Sequence, residues 1–120
     1  EQESPLNTDF KDDVDVTFIK ILKKLIEKNI DSSLLSIPFL ASETSLSERQ
    51  LLRKTKALTG YTPVQFIKEI RLVKAKSLLE NNQVGSVSEA AYKVGFDKVQ
   101  YFSSQYINRF GKKPSDSSSE

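Results

Sequence analysis

The 120-residue chain contains no cysteine, histidine, methionine or tryptophan. Without Cys and His it has no disulfides, no Cys- or His-ligated zinc, no Ser-His-Asp or Cys-His catalysis and no phospho-accepting histidine. It also lacks a G-x-x-x-x-G-K-[ST] phosphate loop and any pair of carboxylates set for acid–base work, so it does not read as an enzyme. No apolar run approaches the ~18 residues of a membrane span, and no signal-peptide pattern opens the chain. No stretch alternates with period two, so no strands are expected. The first residue is Glu1 and Met is absent, and the sequence reads as a piece of a longer protein.

What is present suffices for one folded domain. Apolar residues make up 38% of the chain, and at this size folding hides very roughly two-thirds of the unfolded surface. The net charge of +2 conceals an uneven distribution. Residues 1–15 carry −5, residues 16–114 carry +9 (17 Lys/Arg against 8 Asp/Glu), and residues 115–120 carry −2. An acidic arm and a small acidic tail thus flank a basic body that attracts polyanions.

Residues 1–13 read as an acidic flexible linker and residues 115–120 as a polar disordered tail. Everything between has helical periodicity. Phe18, Ile19, Leu22, Leu25 and Ile26 recur at spacings of three and four, which predicts a helix over 14–28. Ser36 and Pro38 start a short helix to about 43. Ser47 and Gln50 form a capping box that opens a helix ending at Gly60. Thr62 and Gln65 repeat the box, with Pro63 at the first position of a long helix over 63–80 whose apolar face holds Ile67, Ile70, Val73 and Leu78. Ser86 and Glu89 suggest a third box before a short helix to about 94. Asp97 is expected to cap a last helix over 98–110, closed by Gly111 and Pro114.

The chain also repeats itself. Ala41 matches Ala91, and Ser45-Leu46 matches Gly95-Phe96, at an offset of 50; Leu51 matches Phe102, and Gly60-x-x-Pro63 matches Gly111-x-x-Pro114, at an offset of 51. Each unit is a short helix, a tight turn and a longer helix ending at Gly, which is a helix-turn-helix layout. Gly95 supplies the backbone freedom that the turn needs, and Ser45 holds that place in the first unit. Two copies joined by one long helix suit a paired reader rather than a solenoid.

These residues resemble the DNA-binding domain of AraC/XylS-type bacterial transcription regulators. The resemblance rests on Leu40-Ala41, on Ser47 with Leu51 and Arg53, on Gly60-x-Thr62-Pro63, and on Arg71-Leu72 with Ala75. It continues in Ala91 with Val94-Gly95-Phe96, Tyr101-Phe102-Ser103, and Phe110-Gly111 with Pro114, and so runs from about residue 18 to 115. The helix preceding the repeat further resembles the C-terminal end of hybrid two-component regulators. The resemblance implies an all-α, homeodomain-like fold of the AraC type over 14–114. Its first helix-turn-helix would lie at about 37–59, its linker helix at 63–80 and its second helix-turn-helix at about 87–110. It implies a cytoplasmic, sequence-specific reader of double-stranded DNA with no cofactor and no metal. It also implies upstream sensor or receiver domains in the parent protein, contact with RNA polymerase and no membrane contact. The alternative is a helical protein-interaction module that has kept the fold and lost specific DNA binding.

Carried over residue by residue, the resemblance places base contacts at Arg49, Leu52 and Arg53 in the first unit. In the second it places them at Val99, Gln100, Ser103 and Ser104. Arg suits a bidentate grip on guanine and Gln one on adenine. Ser104 departs from the family, which usually carries Arg there, so the first unit is expected to specify more sequence. Backbone contacts are expected from Ser47, Gln50, Lys54, Lys56, Lys98, Tyr101, Lys112 and Lys113. Leu51, Leu58 and Phe102 are expected in the core. Arg71 is expected to be structural, paired with a carboxylate. The tail lacks the family's aromatic-bearing terminal helix, so a shortened or missing last helix is expected.

Overall fold

A computed structural model describes residues 11–118. Six α-helices follow in order: α1 (Lys11–Lys28), α2 (Ile37–Glu43), α3 (Glu48–Thr59), α4 (Pro63–Glu80), α5 (Val87–Lys93) and α6 (Val99–Phe110). A 3₁₀ turn (Pro114–Asp116) closes the chain, and there is no strand among the described residues. The expected linker over 1–13 lies largely outside the described residues, and α1 begins three residues ahead of its predicted start.

Local chemistry sets the helix starts. Ser36, Ser47, Thr62 and Ser86 all have extended backbone and accept a hydrogen bond from the N–H three residues on. Each satisfies one of the donors that a helix N-terminus leaves without an intrahelical partner. The boxes at Ser47/Gln50 and Thr62/Gln65 are reciprocal. The third is one-sided, because Glu89 Oε1 accepts from Gly85 N–H at 2.7 Å instead of from Ser86. The expected cap at Asp97 is absent: the N-cap of α6 is Lys98, with no side-chain hydrogen bond, and Asp97 is exposed.

Two cores result, and α4 belongs to both. Phe66, Ile67 and Ile70 join Leu22, Ile26, Leu40, Ala41 and Leu51 in the first core. Leu72, Ala75, Leu78 and Leu79 join Ala90, Ala91, Val94, Phe96, Phe102 and Tyr106 in the second. At 100° per residue the two sets on α4 point in directions about 150° apart. The apolar stripe therefore wraps around the helix instead of following one face. That is why Val73, placed on the buried face by its spacing from Ile70, is 47% exposed. Leu58 is likewise exposed, since Thr55 is the last buried residue of α3 and the final turn extends past the core.

The tail is more ordered than its composition suggests. Pro114 is buried in the 3₁₀ turn, and Ser117 is buried with its hydroxyl bonded to the phenol of Tyr106. Burial raises the Tyr106 pKa, so the phenol stays protonated. Composition could not reveal this bond, because it depends on a partner 11 residues away. Ser117→Ala leaves the buried phenol without a partner and should cost about 1–3 kcal/mol in urea unfolding. Tyr106→Phe combined with Ser117→Ala should recover most of that loss, because neither partner is then left unsatisfied.

Candidate nucleic-acid interface

The two helix-turn-helix units share one turn, bond for bond. In the first, Thr44, Ser45 and Leu46 N–H donate to Leu40, Ser42 and Ala41 C=O; in the second, Val94, Gly95 and Phe96 N–H donate to Ala90, Tyr92 and Ala91 C=O. This is the Schellman pattern, with the residue after the C-cap at positive φ. Ser45 adopts φ 61° and Gly95 φ 98°. The turn delivers the chain to α3 in one unit and to α6 in the other. Each of these helices has 12 residues and ends with a Gly N–H bonded four residues back, from Gly60 to Lys56 and from Gly111 to Ile107.

On α3 the outer face is open. Arg49, Leu52 and Arg53 stand at i, i+3 and i+4, so they share one face, and all three are exposed, Leu52 by 45%. Ser47 and Gln50 are exposed but committed to the box that fixes the first turn, with Ser47 N–H to Gln50 Oε1 at 2.9 Å and Gln50 N–H to Ser47 Oγ at 3.0 Å. Lys54 is half-buried and its ammonium lies 4.8 Å from the centre of the Phe18 ring, which holds it beside α1. Lys56 is exposed.

On α6 fewer groups are open. Gln100 and Ser104 are exposed, while Val99 and Ser103 are half-buried, Val99 against the second core. The Ser104 hydroxyl donates to Tyr101 C=O at 2.9 Å, so it is turned back onto its own helix. Tyr101 is 51% exposed, with its ring 6.0 Å from that of Phe96. Lys98, Lys112 and Lys113 are exposed. Among the described residues, none of Arg49, Arg53, Lys56, Lys98, Lys112 and Lys113 forms an ion pair. Their charge is available to an outside anion.

Other cations are occupied within the fold. Arg109 makes a two-pronged bond to Glu69, with Nε to Oε1 and Nη2 to Oε2 both at 2.7 Å, and these hydrogen bonds and the carboxylate charge raise its pKa. Lys68 donates to Gln105 Oε1 at 2.8 Å. Both contacts tie α4 to α6 across about 40 residues of sequence, and local spacing gives no sign of them. Arg71 is structural, as expected, but its partner is a carbonyl rather than a carboxylate: Nε and Nη2 donate to Ile30 C=O at 3.3 and 3.1 Å. Burial lowers its pKa. A groove of about 340 Å³ separates the two units, lined by Ile37, Val64, Lys68, Arg71, Phe96 and Tyr101 among others. Among the described residues no group of three or more acidic side chains is placed to hold a metal, and no helix is long and apolar enough to cross a membrane.

The capping difference has a measurable consequence. Ser47→Ala should cost about 1 kcal/mol of stability, the usual loss at a functioning N-cap. Asp97→Ala should fall within ~0.5 kcal/mol of the parent, as surface substitutions do. Urea titrations of the two variants check the pair.

Comparison with known proteins gives concordant results. A family model described as "Helix-turn-helix domain" matches residues 40–118. A histidine kinase of Formosa agariphila is 35% identical over 102 residues, which are 85% of this chain and 7% of the kinase. The HTH-type transcriptional activator RhaS of Escherichia coli is 38% identical over 76 residues, covering 63% of this chain and 27% of the activator. The chain therefore spans less than a third of the curated relatives it matches. Among solved structures, a transcriptional regulator from Chromobacterium violaceum, described as AraC-type and DNA-binding domain-containing, superposes with a TM-score of 0.78 at 30% identity. That match covers 85% of this chain and 89% of the other.

Proposed function

This chain belongs to the AraC-type helix-turn-helix family of DNA-binding transcription regulators, and from that premise we propose how it reads double-stranded DNA: α3 and α6 enter successive major-groove segments on one face of the duplex. The observation that carries this reading is the pairing itself. Two helices of equal length, each delivered by the same turn, are carried by one 18-residue helix. That helix is about 27 Å long at 1.5 Å per residue. The molecule measures 44 × 37 × 22 Å, a flat body that extends as far as the ~34 Å between equivalent groove positions.

Within this reading Arg49, Leu52 and Arg53 meet bases, with Arg the residue suited to guanine O6 and N7 and Leu52 to a thymine methyl. Gln100 is the best-placed base reader of α6, with Val99, Ser103 and Ser104 beside it. Ser47, Gln50, Lys54, Lys56, Lys98, Tyr101, Lys112 and Lys113 meet the backbone. The acidic arm leads to sensor or receiver domains of a longer cytoplasmic parent, and the histidine kinase relative supports that arrangement. Contact with RNA polymerase belongs to the same reading.

Selection from a randomised duplex pool of about 25 base pairs, at near-physiological salt with competitor, tests the proposal. The expected product is a two-part motif with centres about 10 base pairs apart and a stronger half under α3. No enrichment, with binding that disappears as salt rises, would overturn specific readout. On the selected site Arg49→Ala should cost about 1–3 kcal/mol and relax one base position, while Lys112→Ala should weaken all sequences alike and reduce the salt slope by about 1. Fluorescence anisotropy titrations over a salt series distinguish the two effects.

A further inference from the structure

We infer that Arg71 is a positioning residue that sets which half-site spacing the domain accepts, by clamping α4 to the loop that follows α1 at the point where the turn of the second unit closes on both. The inference rests on the paired-readout reading above. Three observations meet at one point. Both Nε and Nη2 of Arg71, on α4, donate to the carbonyl of Ile30. The Ile30 side chain is packed against both hydrophobic cores. The turn of the second unit closes directly on this pair: a Cβ at Gly95 would lie 2.2 Å from Ile30 O and 2.8 Å from Arg71 Nε.

The repeat supplies an internal control. The equivalent turn residue of the first unit is Ser45, which carries a side chain at positive φ and is exposed. The bonding pattern alone therefore admits a side chain at φ 61°, whereas Gly95 stands at φ 98°, where a side chain is strained. Gly95 answers both to that φ and to the close approach of the turn to the Ile30 carbonyl and the Arg71 guanidinium. Elsewhere the two units face each other across the 340 Å³ groove that Arg71 and Gly95 both line. An open groove does not resist rotation of one unit against the other, and a two-donor contact at its edge does. Rotation about α4 would change the angle and separation between α3 and α6. One base pair moves a half-site by about 3.4 Å along the duplex, a step that a rigid pair of readers cannot follow.

Two measurements test this. The chain has no cysteine, so Ser42→Cys with Lys93→Cys gives two clean nitroxide positions, exposed on α2 and α5. Electron–electron double resonance on the parent should give one narrow distance distribution without DNA. Arg71→Ala and Arg71→Met should broaden it while circular dichroism keeps the helices, and Arg71→Lys should broaden it less. On the selected operator, one base pair inserted between the halves should cost the parent at least tenfold in affinity. The Arg71→Ala protein should bind the unaltered site about tenfold more weakly and lose less than threefold on insertion. A folded Arg71→Ala or Arg71→Met protein with the parent's distribution and spacing penalty overturns the inference. If Arg71→Ala and Arg71→Met do not fold, a parental distribution in Arg71→Lys overturns it as well. If the parent selects no operator, the paired-readout reading fails instead, and the resonance distances still decide whether Arg71 holds the units.

Discussion

The whole architecture depends on one helix being buried twice. The N-terminal half of α4 gives Phe66, Ile67 and Ile70 to one core, and its C-terminal half gives Leu72, Ala75, Leu78 and Leu79 to the other. Each large side chain so buried contributes about 1.5–3 kcal/mol, so neither unit completes its core without the helix. An 18-residue helix is rigid only if its backbone bonds continue through the middle, and here no Gly or Pro interrupts residues 64–80. The apolar stripe rotates at the crossover, so the two units hang from different sides of the same rod. This places two short helices, α3 and α6, on one body without a direct packed interface along the groove between them.

The two units share the same hydrogen-bonded turn and differ in what surrounds it. Ser45 and Gly95 occupy the same position in the bonding pattern. At Gly95 a Cβ would lie 2.2 Å from the Ile30 carbonyl oxygen, whereas Ser45 is exposed. The cost of glycine, a larger loss of conformational entropy on folding, is accepted where a φ of 98° and a close contact both disfavour a side chain. The first unit meets the turn with an exposed serine at φ 61°.

Features decided within four residues were legible in the sequence. The caps at Ser36, Ser47, Thr62 and Ser86, the long helix from Pro63 and the stops at Gly60 and Gly111 are all local events, governed by donors and acceptors three or four positions apart. Asp97 misled because an acidic residue before an apolar run is a fair cap, yet the backbone enters α6 one residue later. Val73 misled because periodicity assumes one core per helix. Arg71 with Ile30, Arg109 with Glu69 and Tyr106 with Ser117 were not legible, since each pairing is created by the folding of distant segments. For the same reason the candidate interface was legible as a set of residue types but not in its internal occupancy. Lys54 and Ser104 sit at the expected positions with their polar ends already engaged.

The unequal chemistry of α3 and α6 fits the way two linked contacts share binding. When one module is seated, the second binds as an intramolecular event, at an effective concentration set by the linker between them. A flexible linker spreads that concentration over many positions. A rigid one concentrates it at a single position and removes it elsewhere. The second unit offers no arginine on the open face of α6 before Arg109, and Arg109 is held by Glu69. What α6 has instead is fixation: Lys68–Gln105 and Glu69–Arg109 fasten it to α4, and Tyr106–Ser117 fastens its inner face to the tail. In the proposed complex, then, α3 supplies charged side chains able to distinguish bases one by one. The contribution of α6 depends less on what it touches than on being in the right place when α3 is seated. Weak chemistry on a rigid arm yields specificity for spacing, and strong chemistry on α3 yields specificity for sequence. A domain that combines the two can recognise a bipartite site with only one strongly reading helix.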